Sequence, residues 1–534
     1  MPATSETTTE QHSAGHLPFF PYRYMAVDVG SNSIKYRIWE IEQDGGVRQL
    51  CEQRYPVRLG SGVFTAGMLG EEATRDTVDA FRKIKSDFTN QQVHAMRAVA
   101  TSAMREASDG LTVVRQIHKE TGITLEILPA AEEARMIALG ALGTRPALPA
   151  GQHVLIDIGG GSTEVIIARE PDIVLAESVR LGAVRLKEWF FPEVPPQAEQ
   201  IELAEQHIHD VIGKVLHVPQ LDEERHGLGV AGTITALAQM IRAQGTEETV
   251  ATAGDMGLTL AQLEEMIGDI SKLTLEAITQ RYELDARRAE IILPGALILR
   301  ALMRLLKLEH LTLVRGGVGD GMLQDFLERA GLRRSRLFDH NRAFHVQALA
   351  LGEHYHFNRQ HAEQVARLAA SLFDQLQPLD GLSATDRMLL VGAALLHEIG
   401  QYVSFAAHHK HSYYLIMHAD LPGLSEVEKV MLACIARYHR KSHPKPRHEG
   451  YEILAPAERE CVRKLAAILR LADAFDREHQ SLVSHVQVEI KPKVVEFHVA
   501  THYKAAVEIW NARQKATLFE EVYRRKVEFY TMGI

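Results

Sequence analysis

The chain has 534 residues, too many for one hydrophobic core, and its length predicts three or four domains. Hydrophobic content of 46% and charged content of 24% are those of globular protein, and no run approaches the ~20 apolar residues of a membrane span. A net charge of -10 argues against general nucleic-acid binding, and three widely spaced cysteines argue against a disulfide framework, so a cytoplasmic protein is expected.

Residues 1–20 are rich in Ser, Thr, Glu, Gln and His, lack the basic-then-apolar order of a signal peptide, and read as a disordered tail. An apolar run from Met25 then reaches Asp28-Val29-Gly30-Ser31-Asn32-Ser33, and a second apolar run (36–38), a polar turn (43–46) and Val57-Arg58-Leu59-Gly60 follow. Spacing predicts a helix over 71–88, a strand over 93–100 ending at Thr101-Ser102, and a helix over 111–120 stopped by Thr121-Gly122. A strand over 123–128, a helix over 131–142 and a hinge loop at 143–151 come next.

The opening pattern then returns. A second apolar run reaches Asp157-Ile158-Gly159-Gly160-Gly161-Ser162-Thr163-Glu164, then an apolar run (165–168), a polar turn (170–172) and Val179-Arg180-Leu181-Gly182. A helix over 198–216, a strand ending at Val230 before Gly232-Thr233, and helices over 260–270 and 284–305 are expected. Pro294-Gly295 predicts a kink or a fresh start in the last of these. A strand over 312–314 leads into a glycine-rich turn at 315–321, read as a boundary or a tight turn near a cleft. From residue 341 the composition shifts to helices rich in Ala, Leu and His. A hairpin (486–490 and 494–499) and one long helix (505–530) close the chain.

A strand–turn–strand unit built twice predicts two related lobes across a cleft. Glycine and serine at such turns let backbone N–H groups crowd an anion, because no Cβ blocks the approach. Two such turns face to face make a phosphate clamp, with Gly30, Ser31, Asn32 and Ser33 on one side and Gly159, Gly160, Gly161, Ser162 and Thr163 on the other. Asp28, Asp157 and Glu164 offer hard oxygens for a cation of the Mg²⁺ type. Lys35 and Glu164 stand seven residues after their aspartates, so one lobe offers a cation where the other offers an anion. Glu132 and Glu133 both open a helix, where the macrodipole favours acid, and the residues alone do not choose between them.

These motifs, with Gly232-Thr233, resemble the actin/Hsp70/sugar-kinase superfamily. More narrowly the chain resembles the exopolyphosphatase/guanosine pentaphosphate phosphohydrolase family, through Ala100-Thr101-Ser102-Ala103-Met104-Arg105, Glu132-Glu133-Ala134-Arg135, Arg180-Leu181-Gly182-Ala183, Leu293-Pro294-Gly295-Ala296 and Leu396-His397-Glu398. The resemblance implies an α/β fold of two ribonuclease-H-like, actin-type lobes (21–143 and 144–330), an all-α HD-like domain (337–480) and a small α+β module (481–534). It also implies Mg²⁺-dependent release of terminal phosphate from inorganic polyphosphate, a homodimer, and no membrane or specific nucleic-acid partner. Guanosine pentaphosphate is the alternative substrate, and a kinase or a non-catalytic polyphosphate- or alarmone-binding regulator are the other classes. The match selects Glu133 as the residue that orients water and Arg105 as a phosphate contact, although Pro129-Ala130 replaces the usual Ser-Gly ahead of the glutamate.

Within the helical part, His361, His397-Glu398 and Asp473 stand where the HD fold places its residues, with Glu398 in place of Asp. That substitution favours a non-catalytic domain. Arg437, Arg440 and Lys441 begin a stretch (437–448) with five Lys/Arg, three His and no acid. It reads either as a solvated loop or as a channel for a long polyanion.

Overall fold

The computed structural model describes residues 17, 19–143, 151–169, 172–216, 225–244, 256–333, 340–419, 421, 423–501 and 505–533. Most of the proposed tail and most of the hinge loop at 143–151 lie outside them. The chain divides into two compact units, Met1–Asp339 and His340–Ile534.

The first unit holds two sheets. One contains β1 (Tyr22–Val29), β2 (Ile34–Ile41), β3 (Val47–Tyr55), β4 (Ala95–Ala100) and β5 (Leu125–Ile127) in the order β3-β2-β1-β4-β5. The other contains β6 (Gln152–Ile158), β7 (Thr163–Arg169), β8 (Asp172–Val179), β9 (Arg225–Val230), β10 (Gly257–Thr259) and β11 (His310–Leu313) in the order β10-β11-β9-β6-β7-β8. In each, three antiparallel strands adjoin parallel neighbours: β1 pairs parallel with β4, and β6 with β9. The second sheet thus repeats the first strand for strand and adds β10 at its edge. This is the ribonuclease-H-like order, present twice, as the duplicated sequence predicts.

Two helices fill the space between the sheets. Ala130–Leu142 is buried from Glu132 onward, on every face, which is why its sequence shows little amphipathic pattern. Val318–Arg329 packs beside it, and Met136, Leu139, Val318 and Met322 join Tyr24 and Trp39 of one sheet and Leu155 and Ile166 of the other in one core. Each fully buried Leu, Ile or Met contributes ~2 kcal/mol. The two helices cross closely because Gly321 faces Met136: a Cβ there would overlap the Met136 carbonyl. This crossing fixes the depth at which the first turn of Ala130–Leu142 enters the cleft.

The helix Ala286–Leu306 runs as one element through Pro294, so of the kink or fresh start expected there the fresh start does not occur. It is buried along most of its length, and tertiary packing carries the missing hydrogen bond. Gly295 serves as a packing residue, since a Cβ there would overlap the Thr233 methyl group.

The second unit packs the helices Arg359–Asp380, Ala384–Leu396, His408–His418, Glu426–Arg437 and Pro456–Ala474 around one core. Its sheet contains β12 (Val483–Ile490), β13 (Val494–Thr501) and β14 (Lys526–Gly533). The single closing helix expected at 505–530 is two short ones, Ala506–Lys515 and Thr517–Tyr523, followed by β14. Arg524 takes a left-handed backbone (φ 53°) that ends the second helix. Val527 and Phe529 then alternate with charged residues, which is strand periodicity. β14 pairs parallel with β13, so a helical crossover must precede it. No described helix is long and apolar enough to cross a membrane.

The basic stretch is partly structural. Arg437 donates to the Glu449 carbonyl (3.3 Å) with its guanidinium 5.0 Å from the Tyr413 ring centre, and Arg440 donates to His408 (3.2 Å). Lys441 is exposed, and its carbonyl accepts from Arg470 (3.3 Å).

Candidate active site

The two turns have the same construction. Gly30 N–H donates to Ser33 O (3.1 Å) and Gly159 N–H to Ser162 O (2.9 Å), closing each four-residue turn on itself. Those two N–H groups are therefore committed within the turns and cannot serve the phosphate clamp expected of them. Thr163 lies in β7, where its hydroxyl donates to Leu181 O (2.6 Å). Among the described residues, the N–H groups of Ser31, Asn32, Ser33, Gly160, Gly161 and Ser162 have no protein acceptor, and these turn donors are left for an anion.

The repeated Val-Arg-Leu-Gly segments hold the turns from behind. Arg58 N–H and Gly60 N–H donate to Asn32 O (3.2 Å) and Ser31 O (2.6 Å). Ala183 N–H donates to Gly159 O (3.0 Å), while Val184 and Arg185 N–H donate to Gly160 O (2.9 and 3.1 Å). Satisfying the carbonyls in this way leaves the opposite, N–H side of each turn available. The turns nearly touch across the cleft: a Cβ on Gly160 would stand 3.0 Å from the Ser31 Cβ. Arg185 ties them further, donating to Gly161 O (2.8 Å) and pairing with Glu106 (2.6 Å) on the other lobe.

The aspartates precede these turns in equivalent places. Asp28 is the cross-strand partner of Lys35, and Asp157 of Glu164, so the cation–anion swap between the repeats is a true structural equivalence. Lys35, Asp28, Asp157, Glu164 and Glu133 all line one cleft. Burial pushes the Asp157 carboxyl up to about 6, with Lys35 pulling it down and Asp28 adding to the rise. Burial also raises Asp28, against the pull of Lys35 and Arg37. Glu164 stands well above the carboxylate range through burial and the nearby charges of Glu133 and Asp157, although Ser178 donates to it (2.7 Å).

So much negative charge out of water fits a divalent cation. Oxygens of Asp28, Asp157 and Glu164 do not, however, approach one another within 4.8 Å as a set. These carboxylates suit a hard ion that keeps several of its waters and is held partly through them.

The structure separates the two glutamates. Glu132 points away from the cleft, into a buried network with Arg135 (2.8 and 2.9 Å), which also holds Asp325 (2.8 Å). Glu133 lines the cleft, with one oxygen held by Arg105 (2.9 Å) and the other without a protein donor. Arg105 also donates to Leu128 O (2.7 Å), and its bond to Glu133 holds that carboxylate in place. Burial pushes the Glu133 carboxyl up to about 7, against Arg105 and with Asp28 and Asp157.

Residues 38–330 match the Ppx/GppA phosphatase family, and residues 344–517 match Ppx/GppA phosphatase domain III. The first match alone spans more than half the chain. The chain belongs to the Ppx/GppA phosphatase family.

Among solved structures, an exopolyphosphatase from Cytophaga hutchinsonii is 23% identical, with a TM-score of 0.50 over 58% of this chain and 99% of that one. An exopolyphosphatase-like protein is also 23% identical, with a TM-score of 0.51 over 57% of this chain and 97% of the other. An Aquifex aeolicus Ppx/GppA family member is 24% identical over 58% of this chain and 98% of its own, with a TM-score of 0.48. Ppx/GppA phosphatases hydrolyse phosphoanhydrides and generally depend on a divalent metal.

Seen as a Ppx/GppA cleft, the site also contains residues that sequence reasoning missed. Arg54 of β3 donates to Ser33 Oγ (3.1 Å), and Arg288, at the start of Ala286–Leu306, reaches over Gly232. Burial and the charge of Arg54 lower the Arg288 guanidinium, so the two cations stand near one another. Neither has a local sequence signal, because each arrives from an element remote from the turns. Gly316 and Gly317, part of the glycine-rich turn, line the cleft as well.

Water activation by Glu133 requires its ionised form. With metal scarce, kcat/KM should therefore rise with pH on a limb centred near 7, the value at which burial holds the carboxyl. Added divalent cation stabilises the carboxylate and should move that limb to lower pH. A limb that stays below pH 5 in low metal would show that Glu133 does not govern it.

Proposed function

We propose that this phosphatase is an exopolyphosphatase, releasing terminal phosphate from inorganic polyphosphate with Mg²⁺ at Asp28 and Asp157. The observation that carries this reading is the pair of opposed turns with free N–H groups and Glu133 between them. Phosphoanhydride hydrolysis has a loose, charge-spread transition state, so positioning and charge neutralisation dominate. Ser31, Asn32, Gly160 and Gly161 N–H groups hold the terminal phosphate, while Lys35, Arg54 and Arg288 balance the charge of the chain behind it. Glu133, kept in place by Arg105, orients a water on the phosphorus and takes its proton. A divalent ion in the site supplies Lewis-acid neutralisation of the phosphate oxygens.

The lining favours an inorganic chain over a nucleotide. Among the described residues its one aromatic is Tyr36, which is 2% exposed and hydrogen-bonded to Asp87 (2.7 Å), so none of them presents a ring for a guanine base to stack on. Rates of phosphate release from long polyphosphate, guanosine pentaphosphate and ATP, measured side by side with Mg²⁺, test this. The highest kcat/KM is expected with polyphosphate. A tenfold or greater preference for guanosine pentaphosphate would replace this reading with the nucleotide one.

A further inference from the structure

Between Val57-Arg58-Leu59-Gly60 and the helix Glu71–Asn90 the chain makes a single helical turn, Val63–Ala66. It is bounded by Gly62 (φ 79°) and Gly67 (φ 73°), both in the left-handed region that favours glycine. This segment belongs to the first lobe and fastens to the second. Gly62 N–H donates to Glu188 (2.9 Å), and the Trp189 indole N–H donates to the Phe64 carbonyl (2.9 Å). Glu188 and Trp189 lie on the helix Ala183–Phe190 of the second lobe.

The fastening places the Phe64 ring where the two turns come together. A Cβ on Gly161 would stand 2.4 Å from the ring's Cζ, and one on Gly60 would stand 2.9 Å from its Cε2. Glycine at both positions makes room for the ring. Gly161 is part of the second turn, while Gly60 N–H donates to the Ser31 carbonyl of the first (2.6 Å). The ring thus packs against the body of one turn and the support of the other. Arg185 lies over it, with its guanidinium carbon 4.0 Å from the ring centre, and donates to the Gly161 carbonyl (2.8 Å). Phe64 and Arg185 are both buried, which strengthens the attraction of a cation to a ring face.

We propose that Phe64 is a positioning residue for hydrolysis, a wedge whose ring fixes how far apart the two turns stand. The inference rests on the reading that the turns hold one phosphate between them. N–H groups from both turns reach the oxygens of a single phosphate only over a narrow range of separations, because a hydrogen bond needs about 2.7–3.2 Å between its heavy atoms. A packed ring suits that task. Close-packed interiors yield little under strain, and a phenyl group has no internal torsion to adjust. The effect on phosphate passes through Gly60 and Gly161.

Phe64→Ala removes the ring but keeps the carbonyl that Trp189 holds, so the fastening survives and the wedge does not. The surroundings collapse only partly into such a space. On the substrate the parent hydrolyses fastest, kcat should fall about tenfold or more while KM stays within about threefold. Lys35, Arg54 and Arg288, which line the cleft and face the rest of the substrate, are untouched. Phe64→Leu, which fills part of the space, should lose less. The Mg²⁺ concentration for half-maximal rate should stay at the parent's value, since Asp28 and Asp157 precede the turns on their strands. A side chain that served stability alone would lower the melting temperature and leave kcat of the folded protein unchanged. That outcome in Phe64→Ala overturns the wedge, and Phe64→Leu is held to the same criterion should the alanine variant not fold. Gly160→Val, which forces the turns apart directly, is measured beside it. If Gly160→Val is slow and Phe64→Ala keeps the parent's rate, the wedge falls and the clamp stands. If both keep the parent's rate, the clamp reading falls as well.

Discussion

Glu133→Gln is expected to lower turnover by about a hundredfold or more with KM nearly unchanged. The amide keeps the shape and the bond to Arg105, so what is lost is the capacity to polarise water. Glu132→Gln should show the opposite profile. It weakens a bidentate contact to Arg135, a guanidinium that is 6% exposed and shared with Asp325, and should cost ~3 kcal/mol of stability. At temperatures where that variant stays folded, its turnover should be close to the parent's. Thermal melts paired with phosphate-release kinetics give both numbers. Equal catalytic losses in two stable proteins would mean that the helix start matters and neither carboxylate acts in chemistry.

Gly160→Val is the second large effect. The new side chain meets the Ser31 Cβ at 3.0 Å and the Val184 methyl at 3.2 Å, so the two turns must part. A displacement of ~1 Å at a positioned phosphate costs roughly a hundredfold in rate. Asp157→Asn should act differently, raising the metal concentration needed for half-maximal activity while leaving the turns where they are. Full activity in a folded Gly160→Val protein would remove the opposed turns from the phosphate site.

Most of the fold was legible because the duplication left marks at matching offsets. Asp28 and Asp157, the turns behind them and the Val-Arg-Leu-Gly segments each recur, and the sheets recur with them. Glu133 was legible only through resemblance. Choosing it from physics requires knowing that Glu132 turns toward Arg135, and both face sets of a fully buried helix look alike in sequence. Arg54 and Arg288 were hidden for another reason: they reach the cleft by tertiary proximity, from a strand and a helix with no motif of their own. The unbroken helix through Pro294 and the strand β14 show local rules yielding to packing. In the first, burial outweighs a proline. In the second, the short polar-apolar alternation Lys526-Val527-Glu528-Phe529 was absorbed into the helix before it.

Each turn takes its rear hydrogen bonds from its own lobe: Arg58 and Gly60 support one, Ala183 to Arg185 the other. A rotation that opened the cleft would therefore carry away two intact half-sites, each still shaped for phosphate oxygens but too far apart to share them. Only the spacing would change, and the Arg185–Glu106 tie is a contact that resists its increase. In the proposed reaction, grip on the terminal phosphate becomes a measure of the angle between the lobes. Product release then needs a hinge movement and no remodelling of either turn.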